Sequence, residues 1–265
     1  GPDWTDLPPF DEGKIDFDAY IGAYDIHSYH GINDEKQAEL KKWADWAKEH
    51  DKPLFLAEIG RQDLVMGIRE PEKTRTGDVV SMAESLSNAE DILRGLSVGV
   101  SAFNRWSFTN RGDLDGQWQL IRTWNLEKKE FYENVEPEPV SYYGYAIITR
   151  FLPKHSTVVS TEPIEHAAIF SQTVETPSGD ITTVILNKSG QEQTVELQMN
   201  GIKEATFYLY RAVQEEISKP GFKMNPVNTY SIKPGTQFTL TVPAESISTL
   251  TTIHLPHEEP AAKNR

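Results

Sequence analysis

The residues best suited to carry chemistry are carboxylates, imidazoles and aromatic rings placed where apolar runs end. Residues 53–60, Pro-Leu-Phe-Leu-Ala-Glu-Ile-Gly, form a short apolar run closing on one acid, Glu58, with Gly60 as the turn behind it. A buried parallel strand reads as such a continuous run, and active-site groups of α/β barrels sit where such strands end, so Glu58 is the first candidate for a functional residue. The plainer alternative is that Glu58 anchors the following loop by accepting backbone N–H bonds. Residues 20–27 form a second run, which leads into Asp25, His27, Tyr29 and His30, and residues 98–103 a third, which closes on Asn104, Arg105 and Trp106. His27 and Tyr29 are two apart, so on extended chain they share a face. Asp25, His27 and His30 are metal-binding residue types, but no fourth ligand has fitting spacing, so neither metal nor cofactor is expected.

Helices must separate these runs. Residues 34–49 place Leu40, Trp43, Ala44 and Ala47 on one stripe, with Asn33 or Asp34 as N-cap. Residues 79–97 repeat the pattern through Val79, Val80, Ala83, Leu86, Ile92, Leu93 and Leu96, and Gly99 stops the helix. Strand, helix, strand, helix, strand predicts a parallel sheet. A last helix is expected through Tyr142, Tyr143, Ala146, Ile147 and Phe151, ended by Pro153. Beyond it, short alternating runs recur at 156–161, 167–173, 181–186, 194–198, 206–211, 237–242 and 249–254, divided by turn signals such as Asn187-Lys188-Ser189-Gly190. Runs at that spacing predict an antiparallel β-sandwich. All six tryptophans lie in the first 124 residues, which marks the same boundary by composition.

The series Tyr-Asp-Ile-His-Ser-Tyr-His, Leu-Ala-Glu-Ile-Gly and Phe-Asn-Arg-Trp-Ser-Phe resembles strands six, seven and eight of the clan A glycoside hydrolases, the retaining (β/α)8 barrels. The opening Gly1-Pro2-Asp3-Trp4 resembles the end of strand five, and the C-terminal part is similar to the sandwich appended to barrels of families 30 and 39. The resemblance implies the C-terminal part of a TIM-barrel catalytic domain over 1–151 and a β-sandwich over 152–256, and residues 257–265 read as a disordered tail. It implies that Glu58 is the nucleophile of a double displacement on a β-linked glycan, with a tyrosine near position 29 hydrogen-bonded to it. The acid/base glutamate of such enzymes follows strand four, commonly in an Asn-Glu pair, and no equivalent is present. The Glu133–Pro139 stretch, charged and proline-rich, reads as a connector. The chain is therefore expected to be the C-terminal portion of a longer enzyme. Three and a fraction βα units cannot close an eight-stranded barrel, so the N-terminal half, in the same protein or a separate chain, is the expected partner.

The substrate side is expected to be lined by Asp25, His27, Tyr29, His30, Asn104, Trp106, Arg111 and Trp118. Trp106 reads either as a sugar platform or as ordinary core, and Trp124 as a subsite contact or as packing. Residues 107–126 read as a loop suited to binding sugars, and residues 61–78, with Arg61, Arg69 and Arg75, as a wall of the site or a surface excursion.

Composition narrows the alternatives. The formal net charge of -14 argues against nucleic acid, whose phosphates demand clustered Lys and Arg. Cysteine is absent, and no apolar run is long enough to cross a membrane. The composition is consistent with an extracellular or a robust soluble protein. The competing reading is a non-catalytic carbohydrate-binding or structural protein whose aromatic loops hold glycan without cleaving it.

Overall fold

The structure, a computed structural model, describes residues 17–60, 82–109, 119–125, 128–159, 164 and 166–255. The chain divides into two compact units, Gly1–Glu138 and Pro139–Arg265. The sequence places the helix around Tyr142 with the first unit and the boundary after 151, whereas this division sets the helix in the second.

In the first unit a 3-10 turn, Phe17–Tyr20, precedes β1 (Tyr24–Ser28), α1 (Asp34–Glu49), β2 (Leu54–Ile59), α2 (Met82–Val98) and β3 (Ala102–Arg105). The strands pair in parallel in the order β1-β2-β3, as the alternating pattern predicts. The α1 N-terminus is capped by Asn33, whose side chain accepts from Lys36 N at 2.9 Å, and Asp34 and Glu35 complement the positive end of the helix dipole. Leu40, Ala44 and Ala47 are buried beneath it, while Trp43 is half-buried. On α2, Gly95 admits β3: an added Cβ would lie 2.6 Å from the Phe103 ring. That helix ends at Gly99, whose φ of +101° is left-handed backbone that side chains disfavour.

Several expectations are corrected. Val98 closes α2 and does not open a strand, so the third strand is only Ala102–Arg105. Ala83 is exposed, and Leu96 is half-buried. Much of the buried surface of α2 is polar, with Glu84, Ser85, Ser87, Asn88, Glu90 and Asp91 all buried. The 107–126 segment is not all loop, because β4 (Ile121–Asn125) pairs antiparallel with β5 (Glu130–Pro137). The Glu133–Pro139 connector is thus largely the second strand of a hairpin. Its residues are almost all exposed and its register shifts between Arg122 and Trp124, so alternation gives no signal.

In the second unit α3 (Pro139–Thr149) precedes β6 (Thr157–Val159), β7 (Ile169–Glu175), β8 (Ile181–Asn187), β9 (Gln193–Gln198) and β10 (Ala205–Ala212). A one-turn helix α4 (Gln214–Ile217), β11 (Asn228–Ile232), β12 (Gln237–Val242) and β13 (Ser246–Thr251) follow. Six strands form an antiparallel sheet ordered β11-β10-β13-β8-β7-β6, and β12 pairs with β9 in a second sheet. Ile185, Phe207, Leu209 and Leu250 of the large sheet share one apolar cluster with Val195, Leu240 and Val242 of the small one, which is the sandwich core. The central strand β13 is buried along its whole length, and Thr249 Oγ1 donates to the Ile147 carbonyl of α3 at 2.7 Å. Asn187 ties the two sheets: its amide donates to the carbonyls of Gln191, Val242 and Pro243 at 2.9, 3.2 and 2.8 Å. Strand β11 is an addition to the runs read from sequence.

Candidate active site

The carboxyl ends of β1, β2 and β3 lie side by side. Gly60 N donates to Ser28 O at 3.0 Å, and Trp106 N donates to Ile59 O at 2.9 Å, so the three loops leave the sheet together. One face of this sheet is buried by Tyr24, Ile26 and Ser28 on β1 and by Leu54, Leu56 and Ile59 on β2. Asp25 and His27 stand on the opposite, exposed face.

Glu58 reaches that second face through an irregularity. Ile26 pairs with Leu56, but the next residue of β1, His27, pairs with Glu58, so β2 carries one extra residue, Ala57. From the other side β2 also has one residue too many, since Leu56 and Ile59 pair with Phe103 and Arg105. Under strict alternation Glu58 would follow Leu54 and Leu56 into the buried face. The bulge reverses the phase: Ile59 is fully buried and Glu58 emerges half-exposed beside His27.

Around Glu58 the polar groups converge. The Tyr29 hydroxyl donates to Glu58 Oε2. His27 Nδ1 lies 3.3 Å from the same oxygen, and its Nε2 lies 3.5 Å from Asp25 Oδ2. The His27 and Tyr29 rings meet edge to face, with centroids 6.5 Å apart. Asp25 Oδ1 accepts from Ala57 N at 3.2 Å. Burial, then the hydrogen bond to Glu58 and its charge, raises the Tyr29 phenol above the ordinary tyrosine range, so it remains a proton donor to the carboxylate. Glu58 Oε1 has no partner among the described residues. A carboxylate held through one oxygen with the other open has the form of an oriented nucleophile.

The other predicted residues divide. His30 is exposed just beyond Tyr29 and stands outside the hydrogen-bonded cluster. Asn104 is exposed, and alternation sets it on the face away from Phe103 and Arg105. Trp106 is half-buried at the end of β3, and its peptide bond to Ser107 is cis. Arg111, Trp118 and the 61–78 segment lie outside the described residues, and Trp124 falls in β4.

Arg105 is not delivered to the mouth with its neighbours. It faces the helix side, where Nη2 donates to buried Glu84, and Glu84 Oε1 also accepts from Asn88 at 2.7 Å. Arg105 Nη1 reaches the carbonyls of Trp106 and Ser107 at 3.2 and 3.5 Å, so this ion pair underlies the β3 loop. The available signal was the alternation itself, which puts Arg105 with Phe103. Among the described residues no group of three or more His, Asp or Glu side chains is arranged to hold a metal ion, and no helix is long and apolar enough to cross a membrane.

Parallel β/α units followed by an antiparallel sandwich match the C-terminal part of a barrel-plus-sandwich fold. Residues 155–250 match the model of the glycosyl hydrolase family 30 beta sandwich domain. The fold is similar to that of a family 30 endoxylanase from Clostridium papyrosolvens, with a TM-score of 0.57 and 12% identity over 86% of this chain and 48% of that one. A family 30 subfamily 8 xylanase from Clostridium acetobutylicum gives a TM-score of 0.58 and 15% identity, over 88% of this chain and 49% of the other. An endo-β1,6-glucanase gives 0.52 and 13%, over 88% and 42%. No curated protein matches the chain in sequence. The chain spans less than half the length of each of these structures, and its fold is glycoside hydrolase family 30-like.

Proposed function

We propose that this chain supplies the nucleophile half of a retaining glycoside hydrolase acting on a β-linked glycan. The observation that carries the reading is the convergence of the Tyr29 hydroxyl and His27 Nδ1 on one oxygen of Glu58 at the C-terminal end of a parallel sheet. In this reading Glu58 Oε1 attacks the anomeric carbon while an acid/base carboxyl, supplied by an N-terminal part of the barrel, protonates the leaving oxygen. Water then attacks the anomeric carbon of the glycosyl-enzyme from the face the leaving group vacated, deprotonated by that group acting as base; the bond to Glu58 breaks, and two inversions retain configuration. The two carboxyls should stand about 5–5.5 Å apart in the assembled barrel. Asp25, His27, Tyr29, His30, Asn104 and Trp106 would face the sugar, with Arg111 and Trp118 on the loop beyond. The xylanases and the glucanase among the similar structures support a β-linked polysaccharide as the substrate class.

Covalent trapping tests this directly. A 2-deoxy-2-fluoro-β-glycoside applied to the complete protein should leave its sugar on the peptide containing Glu58, and Glu58→Gln should abolish both labelling and turnover. An inverted product, or full turnover by Glu58→Gln, would sink the assignment. Glycan binding without any cleavage by the complete protein would favour the carbohydrate-binding alternative.

A further inference from the structure

We propose that Asp25 is a positioning residue that fixes the β2 bulge and so decides on which face of the sheet Glu58 is offered; the inference rests on Glu58 being the nucleophile. A bulge removes one residue from the regular ladder and leaves its backbone groups seeking partners. The extra residue is Ala57, and its N–H is the group that Asp25 Oδ1 accepts at 3.2 Å. Asp25 stands on β1 two residues before His27, so both side chains project from the same exposed face of one strand. Its second oxygen, Oδ2, is 3.5 Å from His27 Nε2, whose other nitrogen faces Glu58. One aspartate therefore touches both determinants of the nucleophile's position: the backbone immediately before Glu58 and the imidazole beside its carboxylate.

Without a partner for Ala57 N–H, the regular register competes with the bulged one. The regular register would rotate Glu58 toward the face occupied by Leu54 and Leu56, both essentially fully buried, and would bring Ile59 out. Asp25 opposes that slip by giving the displaced N–H an acceptor which the regular ladder does not need. This role acts through the β2 backbone, so it is read in kcat and the labelling rate, separately from any contact of Asp25 with the sugar, which is read in KM.

The test uses the complete protein, with Asp25→Ala, Asp25→Asn and Glu58→Gln compared in turnover, in KM and in the rate of 2-deoxy-2-fluoro-glycoside labelling. Loss of placement at the reacting atom is expected to lower kcat and the labelling rate by about 100-fold in Asp25→Ala while KM moves by less than about threefold. Asparagine keeps an acceptor for Ala57 N–H, so Asp25→Asn should recover at least about tenfold of that loss. A kcat for Asp25→Ala within about threefold of wild type, or an effect confined to KM, overturns the proposal. If Asp25→Ala does not fold, Asp25→Asn decides alone: a fall in kcat of about 100-fold in that folded variant refutes the acceptor role. Label arriving on another residue, or turnover surviving in Glu58→Gln, would instead defeat the nucleophile reading on which this one stands.

Discussion

The buried Arg105–Glu84 pair separates stability from function in a way that can be measured. Both side chains are about 1% exposed, so neither charge has recourse to water. In Arg105→Met, Glu84 keeps the Asn88 amide at 2.7 Å but loses the Arg105 guanidinium from its buried surroundings. Such a loss costs about 3–5 kcal/mol, against a total of about 5–15 kcal/mol for a whole domain. The double variant Glu84→Leu/Arg105→Met removes both charges and fills the space with apolar atoms. Replacement of a buried pair in this way is often neutral, so most of the loss should return, with a coupling energy of about 2–3 kcal/mol. Turnover should behave differently. Arg105 also holds the Trp106 and Ser107 carbonyls, which methionine cannot do, so the double variant should remain about tenfold or more below wild type in kcat/KM. Urea denaturation and glycan hydrolysis, both on the complete protein, read the two effects. A single-variant loss below about 1 kcal/mol would refute the burial argument, and a double variant restored in both stability and turnover would refute the positioning of the β3 loop.

Two further perturbations follow from hydrogen bonds elsewhere. Tyr29→Phe removes a bond to a charged group worth about 1.5–3 kcal/mol, so kcat should fall by roughly 10- to 100-fold, and an unchanged kcat would sink the role given to Tyr29. Because the Tyr29 pKa is raised in the folded state, its stability contribution is full below about pH 10, the unfolded value, and is lost as pH rises toward the folded value; the 295 nm difference between wild type and Tyr29→Phe should stay flat through about pH 11. Asn187→Ala strands three acceptors that the buried amide now serves, so the sandwich should lose about 3 kcal/mol in urea denaturation, and a loss under about 1 kcal/mol would show that water replaces the amide freely.

What the sequence disclosed, and what it hid, follows from how each element is stabilised. Helix α1 was legible to the residue because a capping asparagine and an apolar stripe agree on its limits. Most sandwich strands were legible because turn residues punctuate them, and the Asn187-Lys188-Ser189-Gly190 signal is the turn that Asn187 itself knits. Strand β11 escaped because, among the described residues, it is an edge strand, mostly exposed and paired with β10 alone. The β4–β5 hairpin escaped for a related reason: with β5 exposed along nearly all its length, no burial pattern is imprinted on its residues. On α2 the pattern misled, since Glu84, Asn88 and Asp91 are buried through polar contacts that hydrophobic periodicity cannot register. The cluster of Asp25, His27, Tyr29 and Glu58 was legible as a set of residue types at strand ends, but not as a set of contacts.

The reason lies in Ala57. Alternation applied evenly to Leu-Phe-Leu-Ala-Glu-Ile assigns Glu58 to the same side as Leu54 and Leu56, where a carboxylate beside apolar side chains would be desolvated and useless to a substrate. The strand instead breaks its own period at Ala57, one residue before the acid, and β1 supplies the acceptor that makes the break tolerable. A regular strand would bury this acid, and a loop would present it without a fixed position. A bulge inside a paired strand does neither, because the neighbouring ladders to β1 and β3 resume at once on either side. Local irregularity at Ala57 is therefore the feature that makes a buried strand compatible with an exposed, oriented carboxylate, and a site of that kind is where pattern-based reading is expected to fail.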